Sequence, residues 1–159
     1  MSENVFQEIK EFLDEKNVDY NFFRHEPVRT SKEAAEVRDL SVEEGLKRGA
    51  KAMVLRSEGE YYQFVLPANR KINFDSVRDI LDTNSVSLAD PEKVLEITDC
   101  KVGGVPPFGN LFEMPVYVDP SLLENDKIDF NAGMRTVSME LDVDEWKRAV
   151  EPKIAYFSK

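Results

Sequence analysis

The segment 103–109 (GGVPPFG) concentrates the residue types that shape a backbone into a ligand-binding surface. Three of the chain's seven glycines and two of its eight prolines lie there. Glycine allows positive φ and close backbone approach, whereas proline fixes φ and removes an amide donor. A stiff loop of this kind can hold a polar ligand through its remaining N–H and C=O groups, or it can be a rigid surface turn. No GK[ST] follows it and the GxGxxG spacing is absent, so it is neither a P-loop nor a dinucleotide fingerprint.

A lysine at the start of a predicted strand is the second candidate. Lys51 directly follows Gly49-Ala50 and begins the apolar run AMVL. A lysine at this place can lie at the rim of a pocket, where its charge binds an anion or burial tunes its pKa. It can equally be an ordinary strand-end lysine whose stem covers apolar surface while its ammonium group stays in water.

The chain contains one histidine, His25, and one cysteine, Cys100, and these counts exclude several kinds of site. A zinc site with four Cys or His ligands cannot form within one chain, and neither can an internal disulfide. No GxSxG elbow is present, which disfavours a Ser-His-Asp triad. His25 is therefore either a hydrogen-bonded residue at a strand end or the base that a nucleophilic Cys100 would need. A small, half-buried thiol is the alternative interpretation of Cys100.

The charge balance limits the classes of partner. With 21 basic and 31 acidic side chains among 159 residues, the formal net charge is −10. This excludes a generally basic nucleic-acid coat protein and a polybasic membrane binder, although the basic residues of the first half can still form a local phosphate-binding face. The N-terminus is acidic and mixed rather than a signal peptide, and no run approaches the roughly 20 apolar residues of a membrane helix. Together with the single cysteine, these features favour a cytoplasmic protein of one domain, residues 1–159.

The helix and strand signals favour an α+β (mixed α/β) fold around one curved sheet. Amphipathic spacing and capping residues predict helices at 3–15, 31–38, 42–48, 76–82, 91–98 and 143–150. Short apolar or aromatic runs predict strands at 19–24, 51–56, 61–66, 85–88, 115–118, 128–130 and 136–141. Strict βαβ alternation is absent, so a Rossmann fold fits poorly.

Local start and turn signals fix several of these elements. Thr30 and Ser41 each precede a glutamate by three residues, which is capping-box spacing, and Asp75 is predicted to cap the fourth helix. The runs at 51–56 and 61–66 flank the polar turn SEGE, which predicts a β-hairpin.

Five short motifs occur in an order that resembles a known family. They are TSKEAA after His25, GAKAMVL around Lys51, GGVPPFG at 103–109, VYVD at 116–119 and NAGMRTVSMEL at 131–141. Together they resemble the YbaK/ProX-like aminoacyl-tRNA deacylases, which are related to the editing insertion of bacterial prolyl-tRNA synthetases. The resemblance covers most of the chain, from Phe12 to Leu141, and the lysine-bearing strand and the GGVPPFG loop are its most specific parts.

The resemblance implies an α+β fold with a central, largely mixed or antiparallel sheet, flanking helices and a pocket on one side. It implies that Lys51 helps to hold the terminal adenosine and the aminoacyl group, and that Gly103 and Gly104 are catalytic with it. It also implies substrate contacts by a wider set of residues, namely Thr30, Ser31, Pro106, Pro107, Gly109, Asn131, Gly133, Arg135 and Ser138.

The implied activity is free-standing trans-editing, in which the ester between a wrong amino acid and the 3′ end of a tRNA is hydrolysed without a metal or cofactor. Such an ester is already activated, so hydrolysis needs a positioned water and stabilised developing charge more than a strong nucleophile. The expected partners are mischarged tRNA and an aminoacyl-tRNA synthetase, with no membrane and no DNA. The alternative is a non-catalytic module that binds an aminoacyl or nucleotide-like ligand, or that associates with a synthetase.

Overall fold

Helices and strands alternate irregularly in the computed structural model, which describes residues 2–27, 30–38 and 40–159. Within these residues the α-helices are α1 (Ser2–Glu15), α2 (Ser31–Val37), α3 (Val42–Arg48), α4 (Phe74–Leu81), α5 (Pro91–Thr98) and α6 (Val143–Val150). The strands are β1 (Asn21–Arg24), β2 (Ala50–Ser57), β3 (Glu60–Pro67), β4 (Ser87–Leu88), β5 (Val116–Val118), β6 (Lys127–Asn131), β7 (Val137–Asp142) and β8 (Lys153–Ile154). Short 3₁₀ turns span Gly109–Phe112 and Leu122–Glu124.

The strands form two sheets. One is antiparallel with the order β1-β7-β6, and the other is mixed with the order β4-β2-β3-β5-β8. The predicted α+β class is confirmed, but the single predicted sheet is divided in two, with an isolated bridge between Gly49 and Asp129 linking the parts. A local sequence pattern determines which face of a strand is buried, but it does not determine which other strand pairs with it. The sequence therefore did not show that the strands divide into two sheets.

The predicted hairpin is present as β2 and β3. Its two turn residues, Glu58 and Gly59, have φ of 50° and 83°, which matches the twist that two-residue hairpin turns require. Lys51 pairs with Leu66 at the end of the hairpin remote from this turn. The register therefore places Lys51 beside the junction between the two sheets.

Side-chain caps start three of the helices. Thr30 Oγ1 accepts from the Glu33 amide at 3.0 Å, and Ser41 Oγ caps α3 in the same way, so both predicted caps are confirmed. The expected cap of α4 by Asp75 is wrong, because Asn73 Oδ1 accepts from the amides of residues 75 and 76. Asp75 lies inside the first turn, where the helix dipole favours its charge.

The main core lies between α1, α6 and the inner faces of both sheets. The apolar stripe of α1 is buried there, and Phe108 of the Gly/Pro loop is fully buried with it. The Phe108 ring makes edge-to-face contacts with Phe12 and Phe130, at centroid distances of 6.0 and 5.5 Å. The loop is thus held in the core rather than lying on the surface. None of the described helices is long and apolar enough to cross a bilayer.

Candidate active site

A cleft of about 330 Å³ opens at the junction of the two sheets. Its walls come from α2 and α3, from the start of β2, from the Gly/Pro loop and from the end of β6. The lining residues include Thr30, Ala34, Arg38, Gly45, Gly49, Ala50, Lys51, Ala68, Val102, Gly103, Val105, Asp129, Asn131 and Arg135. Sequence positions far apart along the chain therefore meet on one concave surface.

Lys51 contributes the ammonium group of this cleft. Its Nζ donates to the Arg70 carbonyl at 2.5 Å. This hydrogen bond links the start of β2 to the segment that follows β3. Partial burial, and secondarily the charge of Lys71, lower the Lys51 pKa below its ordinary value. The structure therefore favours the pocket interpretation of Lys51 over that of a strand-end lysine in water.

The front of the Gly/Pro loop is a tight turn that lines the same cleft as Lys51. The Gly104 amide donates to the Lys101 carbonyl at 2.8 Å, and Gly103 has φ of +94°. Asn131 Nδ2 donates to the Gly103 carbonyl at 2.6 Å, and the Arg135 guanidinium donates to the Val102 carbonyl. Two side chains, one from the end of β6 and one from the loop between β6 and β7, thereby hold the turn in place.

The turn also presents free donors. Among the described residues, the amides of Gly103 and Val105 have no hydrogen-bond acceptor, and both residues line the cleft. Unpaired N–H groups in a fixed turn can stabilise negative charge on a ligand oxygen. The Gly104 amide, in contrast, already donates to the Lys101 carbonyl within the turn. Gly104 packs closely on the Gly133 backbone, since an added Cβ at Gly104 would lie 3.2 Å from the Gly133 carbonyl oxygen.

Pro106, Pro107 and Gly109 lie behind this turn and not in the cleft lining. The buried Gln63 side chain donates to the Pro106 carbonyl and accepts from the Gly109 amide, each at 2.9 Å. The Trp146 indole donates to the Pro107 carbonyl at 2.9 Å. These three loop residues are therefore anchored in the core, and the anchoring side chains were not found from the sequence.

Ser138 is buried one layer behind the cleft, in a chain of hydrogen bonds that ends at His25. Arg38 Nε donates to Ser138 Oγ at 2.9 Å, and the Ser138 hydroxyl lies 2.8 Å from His25 Nε2. His25 Nδ1 lies 2.7 Å from the Glu26 carbonyl, which can only accept, so we assign the ring hydrogen to Nδ1 and let Nε2 accept from Ser138. His25 is thus a hydrogen-bonded residue, as one of its two interpretations expected.

The remaining predicted residues divide between the cleft and its surroundings. Thr30, Asn131 and Arg135 line the cleft, and Gly133 supports Gly104 from the loop between β6 and β7. Ser31 begins α2, and its side chain lies outside the part of the chain that the structure describes. The thiol of Cys100 is buried and donates to the Thr98 carbonyl at 3.3 Å, and burial raises its pKa to about 12.

A cluster of charged side chains that the sequence did not reveal borders the cleft. Asp129 and Glu140 are opposite each other in the antiparallel pair of β6 and β7. Arg48 lies between them, with Nε 2.9 Å from Asp129 Oδ2 and Nη2 2.5 Å from Glu140 Oε2. Burial raises the Asp129 pKa to about 6, although the positive charge of Arg48 opposes the shift.

Comparison with known proteins places these features in a family context. The family described as "Aminoacyl-tRNA editing domain" matches residues 25–149. The Escherichia coli protein named multifunctional Ser/Thr-tRNA deacylase ProXp-y is 28% identical over 96% of this chain and 92% of its own length. A proline–tRNA ligase of Thermosipho melanesiensis is 30% identical over a match that covers 62% of this chain and 17% of the ligase.

The fold matches solved structures over almost its whole length. A crystal structure of a candidate trans-editing enzyme for prolyl-tRNA synthetase superposes with a TM-score of 0.83 at 20% sequence identity. The match covers 98% of this chain and 97% of the other. At this level of identity the similarity supports the α+β architecture described above.

Proposed function

Because the chain belongs to the family of aminoacyl-tRNA editing domains, we propose that it is a free-standing hydrolase that cleaves the ester between a wrongly attached amino acid and tRNA. One observation carries the proposal: Lys51 and the Gly103 turn line the same cleft. The E. coli relative, which is similar over nearly the full length of both chains, is named as a tRNA deacylase and adds support.

The turn has the properties that ester hydrolysis needs. Attack of water on the ester carbonyl moves negative charge onto its oxygen, and the free amides of Gly103 and Val105 stabilise that charge. The tetrahedral intermediate then collapses, releasing the free amino acid and the ribose hydroxyl of the terminal adenosine. A preorganised turn of this kind lowers the barrier without a nucleophilic side chain.

Lys51 holds the nucleotide end of the substrate. Its ammonium group has three donors, and one of them is used on the Arg70 carbonyl. The others are free to bind a phosphate or ribose oxygen of the terminal adenosine. Asn131 and Arg135 act by positioning, because each of them donates a hydrogen bond to a carbonyl of the turn.

Binding of the rest of the tRNA rests on few contacts. The net charge of −10 repels a polyanion at long range, so local lysines and arginines near Lys51, such as Arg70 and Lys71, must supply the attraction. We therefore expect weak binding that falls steeply with salt. The second proposed partner is a synthetase that delivers the tRNA, and the proposed place of the reaction is the cytoplasm, where tRNA is charged.

The direct test is deacylation of a panel of charged tRNAs. Purified protein is incubated with alanyl-, cysteinyl-, prolyl-, seryl- and threonyl-tRNA, and release of the amino acid is measured against a no-enzyme control. We expect rapid release from at least one of them. If no member of a full amino-acid panel is hydrolysed, the enzyme proposal is wrong, and ligand-dependent thermal stabilisation without turnover would then support a binding module.

Cys100→Ser should keep most of the deacylase activity. The thiol pKa of about 12 means that almost no thiolate exists at neutral pH, and the thiolate is the nucleophilic form. Initial rates of wild type and variant on the same charged tRNA check this, with circular dichroism as the control for folding. Complete loss of turnover in a normally folded variant would reveal a thiolate mechanism.

A further inference from the structure

Arg38 contributes a guanidinium group to the wall of the cleft. It is the residue that ends α2, where its amide donates to the Ala34 carbonyl, and its side chain reaches the strand pair β6–β7. Nε donates to Ser138 Oγ at 2.9 Å, and Nη2 donates to Asn131 Oδ1 at 3.3 Å. These two acceptors belong to cross-strand partners, so one planar group spans both strands.

The hydrogen-bond partners of this guanidinium are neutral groups, although the side chain is partly buried. Burial lowers the Arg38 pKa, and the charges of Asp129 and Glu140 oppose the shift. Taking a charge out of water costs free energy that neutral acceptors offset only in part. The guanidinium is therefore expected to add little to the stability of the fold, which indicates a role in orienting its partners.

The guanidinium determines which way the Asn131 amide faces. A guanidinium group can only donate hydrogen bonds, so the Asn131 atom beside it must be the carbonyl oxygen. The amide nitrogen then lies on the other side, where it donates to the Gly103 carbonyl at 2.6 Å. A reversed amide would place its oxygen against the Gly103 carbonyl oxygen and its NH₂ group against the guanidinium, and both contacts would be repulsive.

The guanidinium is itself fixed from behind. Because Ser138 Oγ accepts from Arg38 Nε, its own hydrogen is directed to His25 Nε2, 2.8 Å away. One chain of hydrogen bonds thus runs from His25 through Ser138, Arg38 and Asn131 to the Gly103 turn. A polar network whose members are all paired favours a single geometry.

We propose that Arg38 is a positioning residue for deacylation, which holds the Asn131 amide in the orientation that supports the Gly103 turn. This inference rests on the proposed function and adds to it a residue that acts through another side chain. Catalysis by fixed donors depends on their exact placement. A turn that loses this support should therefore slow the chemical step more than it weakens substrate binding.

The first test replaces the guanidinium. Arg38→Met keeps an unbranched side chain and removes both hydrogen bonds, so we expect kcat to fall at least about tenfold while KM changes less than about twofold. Arg38→Lys should lose as much, because one ammonium group cannot replace the planar fork that donates to both residues, and it serves if the methionine variant does not fold. Steady-state and single-turnover kinetics on one charged tRNA measure these effects. A wild-type kcat in Arg38→Lys would show that positive charge alone suffices and would overturn the inference.

A double-mutant cycle tests whether Arg38 acts through Asn131. Asn131→Ala should lower kcat by a similar factor, and Arg38→Met should cost nothing further in that background. Asn131→Asp keeps an acceptor for the guanidinium but cannot donate to the Gly103 carbonyl, so it should be as slow as Asn131→Ala. Effects that multiply in the double variant, or an effect of Arg38→Met confined to KM, overturn the inference.

Hydrogen exchange of the Gly104 amide, which donates to the Lys101 carbonyl, reports the turn without turnover. Its exchange should become about fivefold faster or more in Arg38→Met and in Asn131→Ala. Arg148→Met is the matched control, because it removes an exposed guanidinium that pairs with Glu145 on α6, outside the cleft lining. Unchanged Gly104 exchange in a folded Arg38→Met variant overturns the inference. Absence of hydrolysis by wild type, with exchange altered as expected, overturns the proposed function and leaves the positioning of the turn by Arg38 standing.

Discussion

Gly103→Ala is expected to lower kcat/KM for deacylation at least about tenfold, which corresponds to ~1.4 kcal/mol of transition-state stabilisation. Gly103 has φ of +94°, and an added Cβ would lie 2.8 Å from Arg135 Nε. The guanidinium must then move and release the Val102 carbonyl, so the turn loses one of its two supports. In the proposed mechanism the amides of this turn stabilise the developing oxyanion, so a small displacement of the turn weakens catalysis directly. Steady-state kinetics on one charged tRNA measures the effect.

Gly59→Ala is the matched control for this prediction. Gly59 also has positive φ, 83°, but lies in the β2–β3 turn with no heavy atom within 4 Å of an added Cβ. Both variants carry the backbone strain of a left-handed alanine, about 1–2 kcal/mol, so their melting temperatures should fall by similar amounts. Only Gly103→Ala should lose activity. Equal kinetics of the two variants would show that the Gly103 turn does not contact the reacting ester.

Lys51→Ala is expected to lower kcat/KM at least about tenfold with little change in melting temperature. The Lys51 side chain is half-buried, and its hydrogen-bond partner is a backbone carbonyl near the surface. Its removal should therefore change the free energy of unfolding little, whereas the proposed contact with the substrate is lost. Lys51→Arg should lose activity as well, because the planar guanidinium is larger and cannot replace the compact ammonium group. Single-turnover rates and thermal unfolding of the variants measure the two effects separately.

Lys153→Ala controls for the loss of one positive charge. Lys153 is exposed on β8, at the edge of the five-stranded sheet and three strands away from β2. Its removal should change tRNA affinity slightly and leave the chemical step unchanged. Hydrolysis by Lys51→Ala at the wild-type rate would make Lys51 an ordinary strand residue and remove it from the site.

The parts of the site that the sequence predicted depend on local conformation. A glycine-proline loop restricts φ over a few neighbouring residues, and a lysine at a strand start lies where that strand begins. Short patterns of this kind made Gly103 and Lys51 candidates, and the structure places both in the lining of one cleft. The same holds for the caps at Thr30 and Ser41, where the donor and acceptor are three residues apart. Local geometry is sufficient for such features.

The parts that the sequence did not predict depend on contacts between distant segments. Gln63 lies in the run YYQFVL and gives no sign that it bonds to a loop more than 40 residues away. Asp129 and Arg48 have ordinary neighbours in the sequence and become unusual only when α3 packs beside β6. The junction between the two sheets is likewise determined by packing between distant segments, so no short segment of the sequence predicts it.

The two buried anchors of the Gly/Pro loop bear on how the protein can change over evolutionary time. Gln63 and Trp146 hold the loop from β3 and α6, whereas the small residues of the cleft wall belong to α2 and α3 and to the position that follows α3, namely Ala34, Gly45 and Gly49. A substitution in that wall can alter the shape offered to the amino acid without touching either anchor. On the proposed function, replacements in that wall change the preferred amino acid while the loop keeps both of its anchors, so the mutational paths between such specificities are short.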